Sequence, residues 1–521
     1  MLEKIFKTLW ERSKLTSGYW LTRFVFLRLL GFIYLFAFIS LATQVLPLIG
    51  HNGLLPADIY LGRLGTNFHN ASDAFFSLPS IFWFYISENA LLILAWLGVL
   101  LSIIVLIGYA NSILMFTLWA LYMSFVHIGQ LFYSYGWEIQ LLETGFLAIF
   151  IVPLLDPMPF PKTAPSIPII WLLRWLTARL YFGTGLIKLR GSECWKDFTC
   201  LYYHYQTQPI PNPLSPYWHF LPKWFHKFEV LWAHLTFLVA PLFIFWNKKI
   251  KNREIWKARH IAGLIIIFVQ VLLIFDGNYA SLNWLAIAAA IGIFDDSFFR
   301  KILPKFIVNK AENAEKNSIF SKNQFIVSWI VFLLVIMLSV PVVLNLFSSR
   351  QAMNTSFDQL HLVNTYGAFG SISEVRNELI IEGTYDGIIN ENTVWKEYDF
   401  KYKPGPLDER LPTIAPYQPR IDWQMWFAAM SSYENEPWLI HFVWKLMHND
   451  KGALSLIENN PFPDKPPKFI RIQIYKYEFE NPWESKNVWK RTFLGTWIPP
   501  ISTETKGLRE FIQQNKWQVY D

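Results

Sequence analysis

The chain has 521 residues, of which 53% are hydrophobic and 16% charged, and its formal net charge is +7. A soluble protein of this length carries about a quarter charged residues, so the composition argues against an ordinary soluble enzyme and for a membrane protein. The basic excess does not point to nucleic acid, because Lys and Arg cluster between apolar segments as topology signals do.

Crossing a hydrocarbon core takes roughly 20 mostly apolar residues. Eight segments qualify: 24–46, 90–107, 114–131, 141–155, 230–246, 261–275, 281–294 and 326–346. A ninth, 167–189, is interrupted by Arg174 and Arg179. The 141–155 and 281–294 segments are short enough to be tilted or re-entrant. The first run is too long for a cleaved signal and reads as an anchor that stays. The expected fold is a polytopic α-helical membrane bundle of about nine transmembrane segments over 1–348. A C-terminal extracytoplasmic domain, α+β or β-sandwich-like, follows over 349–521.

Basic residues give the orientation. Lys4, Lys7, Arg12, Lys14 and Arg23 precede the first crossing. Lys248, Lys249, Lys251, Arg253, Lys257 and Arg259 fill a later linker, and Arg300, Lys301, Lys305, Lys310, Lys316 and Lys322 the next. The positive-inside bias places all three in the cytoplasm. Nine crossings then leave the 47–85 loop, a cap loop at 190–229 and everything after Leu346 outside. Within the apolar half, Arg28 lies where its side chain can snorkel toward the cytoplasmic headgroups. His127, His234 and Asp276 are further polar residues there. Glu138 and Glu143 are five residues apart and point to different faces of a helix. Structural pairing with Arg174, Arg179 or Lys188 is the expectation, with a polar cavity as the alternative.

The cap loop reads GTGLIKLRGSECWKDFTCLYYHYQTQPIPNPLSPYWHF over 183–220. Pro209, Pro211, Pro213 and Pro216 exclude a regular helix through that stretch. Its many aromatics predict a folded cap over the mouth of the bundle. Cys194 and Cys200 are the chain's two cysteines, too few for a structural zinc site or a framework of several disulfides. A single disulfide and two buried free thiols both remain open. His204, flanked by tyrosines, reads as a packing histidine or as a base lacking visible partners. No HExxH, GxSxG, P-loop or dinucleotide glycine pattern occurs, and neither metal nor cofactor is predicted.

After residue 348 the pattern changes to short strands at 378–381, 395–402, 469–478 and 488–497, with helices at 438–448, 452–457 and 504–514. The alternation in IRIQIYKYEFE predicts a half-buried strand. Gly367 and Gly370 around Phe369 imply a tight turn or close packing. APYQPRIDWQMWFAAM brings Arg420, Asp422, Trp423, Gln424 and Trp426 together, as a seam against the bundle or an aromatic surface for a partner.

These stretches resemble the lipase maturation factor family. The likeness runs in collinear order through FLRLLGFIYLFAFISLATQVLPLIGHNGLLPA at 26–57, TGLIKLRGSECWKDFTCLYYHYQTQPIPNPLSPY at 184–217, LVNTYGAFGSI at 362–372, PYQPRIDWQMWFAAM at 416–430 and PWLIHFVWKLM at 437–447. The resemblance implies a membrane-held factor that assists folding or assembly of secreted lipases, in the endoplasmic reticulum of animals. Sparse cysteines fit a bacterial relative in the inner membrane with a periplasmic tail domain. The matching positions to test are Cys194, Trp195, Cys200, His204, Tyr205, Thr207, Gln208 and Pro209, with Asn364, Thr365, Tyr366, Gly367, Asp422, Trp423 and Trp426. Gln206 departs from the family pattern, where Glu is expected, which weakens any carboxylate partner for His204. The expected partners are membrane lipids and an exported client such as a lipase, with no nucleic acid. The alternative is a membrane-embedded enzyme acting on lipid or polypeptide, loosely like vitamin K-dependent carboxylases, with His204, Lys188, Glu138 and Glu143 lining its cavity.

Overall fold

The structure, a computed structural model, describes residues 18–68, 70–247, 249–250 and 253–520. Lys4, Lys7, Arg12, Lys14, Lys248 and Lys251 lie outside them. The principal helices of the first half are α1 (Trp20–Ile49), α2 (Glu88–Ile107), α3 (Ser112–Ile128), α4 (Gly136–Ile151), α5 (Ile167–Arg190), α6 (Leu201–Thr207), α7 (Lys223–His234), α8 (Ala258–Asp276), α9 (Leu282–Ala290) and α10 (Lys322–Phe347). Helical structure falls on each of the nine apolar segments. Among the described residues four helices, α1, α2, α8 and α10, are long and apolar enough to cross a membrane. Ser87 and Asn111 begin α2 and α3 by accepting from the N–H of Ala90 and Leu114, which satisfies donors that a helix start leaves free. The 230–246 segment is not one regular helix. After α7 the backbone changes to a π turn over Leu235–Val239 and a 3-10 turn over Ala240–Phe243, where Pro241 removes a backbone donor.

The two ends of the bundle differ in character. At one end the Asp296 carboxylate accepts from the N–H groups of Trp20 at 2.9 Å and Leu21 at 2.8 Å, so an anion sits on the positive end of α1. Lys257 and Arg259 pair with neighbouring Asp295, and Arg300 bonds Glu315. The described parts of all three basic segments therefore share this end. Arg28 bridges nearby, donating to the Gly108 carbonyl at 2.7 Å and lying over the Phe24 ring.

At the opposite end stand the cap and the tail domain. The tail has a four-stranded antiparallel sheet of β1 (Arg376–Thr384), β2 (Lys396–Glu397), β3 (Phe469–Phe479) and β4 (Trp489–Ile501), in the order β2-β1-β3-β4. Leu379 stands opposite Ile474 and Ile381 opposite Ile472. Helices α11 (Arg420–Ala428), α12 (Pro437–Leu446) and α13 (Leu508–Gln514) complete it, so strands and helices share one α+β core. The expected 395–402 strand is broken into Lys396–Glu397 and Asp399–Phe400, the second pairing with Ile457–Asn459. The expected 452–457 helix is a single turn, Lys451–Leu454, begun by the Asp450 side chain. The hydrophobic core is continuous through both halves, joining Tyr34, Leu142 and Leu173 of the bundle to Val363, Leu379 and Phe442 of the tail. Close backbone approach enforces this joint: a Cβ on Gly191 would strike the Gly370 carbonyl, and one on Gly183 the Tyr366 carbonyl. The left-handed backbone between the tail glycines falls on Phe369, at φ 52°, rather than on a glycine.

Candidate functional site

Helix α4 carries both embedded glutamates to the tail. Glu143 pairs with Arg179 of α5, accepts from Tyr366 Oη at 2.7 Å, and accepts from the Asn364 backbone and side-chain N–H groups at 3.1 Å each. Glu138 pairs with Arg420 of α11 at 2.8 Å and accepts from Tyr122. The Arg420 guanidinium also lies 3.5 Å from the Tyr133 ring centroid. Arg179 was among the expected partners, but Glu138 takes none of the three. Arg174 instead donates to the Gly292 carbonyl and Tyr19 Oη, and Lys188 to the Ala368 carbonyl. Both carboxylates are buried and paired, as charges out of water must be.

The cap is held by the Cys194–Cys200 disulfide and by the tail. Trp195 donates to the Phe369 carbonyl at 2.9 Å. Gln208 donates to the Tyr205 and Asp276 carbonyls and to Ser215 Oγ. Arg376 of β1 gathers the carbonyls of Gln206, Gln208 and Pro209, while Glu378 balances its charge. The stretch through Pro209 thus finds backbone partners in the tail, while the Ile210 and Pro211 carbonyls accept from Asn278 of the bundle. Pro216 opens a short helix, Ser215–His219, where a missing N–H costs nothing. Gln206 turns away from His204 and accepts from the Phe479 N–H.

Beneath the cap lies a cavity of about 540 Å³ between α4, α5, α7, α8 and the 366–369 loop. Its walls are mainly apolar, but Gln140, Lys188, His204, Glu229, Asp276 and Tyr279 also face it. His204 Nε2 is 2.8 Å from Tyr279 Oη. Burial, and then the Lys188 charge, hold the His204 imidazole down at about 3. It is therefore neutral at physiological pH and too weak a base for efficient proton abstraction there. Tyr205 donates to Glu229 at 3.0 Å, and His226 takes the other carboxylate oxygen. Glu138 and Glu143 do not line the cavity, which corrects the expectation grouping them with Lys188 and His204. Their place is the seam.

The remaining sequence candidates divide between cap and seam. Thr207 Oγ1 donates to the Tyr203 carbonyl, and the Thr207 carbonyl accepts from Trp426 Nε1 at 3.0 Å. Thr365 pairs with Thr355, and Gly367 packs beside Met353 and Ile187. Asp422 accepts from the Tyr402 and Lys403 N–H groups at 2.9 Å, and burial raises its carboxyl to about 6. Trp423 is buried edge-on against Trp137, inside the seam. It is no surface for a partner, and the exposed apolar residues of this helix end are Phe427 and Met430. Sequence reasoning missed Gln140, Tyr181, Tyr279 and Arg376. Only Arg376 left a signal, two residues before Glu378 and so on the same face of a strand.

Comparison with known proteins gives two domain matches. The family model described as lipase maturation factor transmembrane domain matches residues 21–301, and the one described as lipase maturation factor C-terminal domain matches 362–499. Lipase maturation factor 1 of Mus musculus is 41% identical over 97% of this chain and 91% of its own length. The Homo sapiens protein of that name is 40% identical over 97% and 91%. Lipase maturation factor 2 of Xenopus laevis is 30% identical over 95% of this chain and 84% of its own. No solved structure matches.

Proposed function

The chain belongs to the lipase maturation factor family, and from that premise we propose that it is a membrane-held maturation factor for exported proteins, lipases among them, acting by binding a partly folded client. The geometry supporting this reading is the outer edge of the tail sheet. Strand β4 has 13 residues, and β3 is its one strand neighbour among the described residues. Phe493 and Leu494 are more than half exposed on it, and Phe427 and Met430 are exposed on the tail as well. An open edge offers backbone partners to an incoming extended segment, and exposed apolar side chains shield the segment's own.

The orientation that goes with this function puts the basic end in the cytoplasm and the cap and tail on the far side, where exported chains fold. Clustering of the three basic segments at one end supports that arrangement, as does an odd number of crossings, nine by the sequence count. The compartment is the inner membrane for a bacterial chain and the endoplasmic reticulum for a eukaryotic one. A disulfide in the cap suits either oxidising space. An enzyme reading gains little, because the glutamates are committed to ion pairs and His204 is held neutral.

The test is complementation. A deletion strain carrying Phe493→Glu with Leu494→Glu should accumulate the variant normally yet export inactive lipase. Lipase of full activity from that strain, with the variant folded and abundant, would overturn the proposed edge. Normal lipase maturation in the deletion strain itself would overturn the function.

A further inference from the structure

Independently of client binding, we propose that the cavity beneath the cap binds a single-chain amphiphile with a carboxylate head, a long-chain fatty acid taken from the bilayer. The volume, about 540 Å³, lies within the usual range of roughly 300–1,000 Å³ for small-molecule sites. Phe228 of α7 and Phe268 of α8 line the cavity and are also 53% exposed each. Phe268 lies midway along a helix of membrane-crossing length and apolarity, so this exposed wall residue sits at hydrocarbon depth. An acyl chain entering beside it would not pass through water.

Gln140 of α4 and Lys188 of α5 bring polar groups to the cavity lining beside the 366–369 loop. Lys188 has three donors. It donates to the Ala368 carbonyl at 2.6 Å, lies 3.5 Å from that of Phe369, and has no carboxylate partner among the described residues. Of the two carboxylates that share the cavity, Glu229 is bonded to Tyr205 and His226, while Asp276 sits by Tyr279 and keeps one buried oxygen without a partner among the described residues. Gln140 supplies an independent sign. It is fully buried, it lines the cavity, and both its amide nitrogen and its amide oxygen lack any partner within the protein. It stands one turn from Gly136, whose backbone abuts Asn354 beneath Gly367. A carboxylate at this corner would accept from both the Lys188 ammonium and the Gln140 amide, giving a charge-assisted pair that the protein alone leaves unmade. Tyr181, Thr184 and Lys188, spaced three and four apart, share the α5 face along which the ligand lies.

The experiment measures equilibrium binding of labelled palmitate to the full chain in a non-ionic detergent, with hexadecanol as the neutral competitor. Saturable palmitate binding is expected, retained in Lys188→Arg, weakened roughly tenfold or more in Lys188→Met, and poorly competed by hexadecanol. Ala286→Phe, which narrows the acyl part of the cavity, should weaken binding while leaving the polar corner intact. Native mass spectrometry of the gently extracted protein should find a fatty acid bound. Unsaturable palmitate binding, equal competition by hexadecanol, or unchanged affinity in a folded Lys188→Met variant would overturn the proposal, as would a phospholipid in place of the fatty acid.

Discussion

Gln140 and Glu143 stand three residues apart on α4, one turned to the cavity and the other to the seam. Glu143 meets a guanidinium, a phenol and two N–H groups from the Asn364 backbone and side chain. Gln140 meets nothing within the protein that can accept or donate. The Glu143 carboxylate has its partners within the protein, whereas the Gln140 amide holds an unmade bond. Burial alone therefore does not distinguish these two residues, whereas their partners do.

The largest effect that could break this contrast comes from the seam. Glu143→Ala should strand Arg179 and cost about 3–5 kcal/mol, read as loss of the folded monodisperse protein on chromatography or a steep fall in melting temperature. A variant that melts like the parent would show that the seam is not what joins the halves. The next test uses pH. The Asp422 carboxyl is raised to about 6 from about 3.9 unfolded. Its neutral form is favoured by folding, so this contribution is fully present below pH 4 and is lost as pH rises through about 6. The loss amounts to about 3 kcal/mol. Asp422→Asn keeps an acceptor for Tyr402 and Lys403, and its melting temperature should lack that part of the decline between pH 4 and 6. Parallel pH profiles for the two proteins would contradict the assignment.

Removing the cap disulfide by Cys194→Ser with Cys200→Ser should cost about 2 kcal/mol, because the closed loop is short, and should shift palmitate binding more than it shifts bundle melting. The smallest effect belongs to Gln140→Leu. Replacing an amide with no protein partner should move stability by less than about 1 kcal/mol, to the favourable side. Strong destabilisation there would place Gln140 with Glu143 and erase the difference between the two regions.

Hydropathy located the helices because the membrane imposes a length and a composition that any reader of the chain can see. The strands of the tail were legible where one face is buried, as in FIRIQIYKYEF of β3. Helix α11 was not assigned, because nine residues rich in tryptophan carry little periodic signal. The pairings were the hardest to foresee. Glu138 and Arg420 are 282 residues apart, and His204 and Tyr279 are 75 apart, so no local spacing encodes them. Cys194 and Cys200 were visible as a pair, but their oxidation depended on the fold holding them together. Trp423 was legible as important and ambiguous as to side, since a tryptophan reads alike in a seam and on a surface.

The contact between Ala368 and Lys188 carries a consequence for how this molecule can be dissected. Two carbonyls of the tail form the floor on which a bundle lysine rests. A chain ended at 348 would lose that floor, and a tail expressed alone would lack the helices that wall the cavity. Exchanging halves between relatives would bring two mismatched surfaces to the same corner, so a functional chimera must carry the 349–375 segment along with the bundle against which it is moulded.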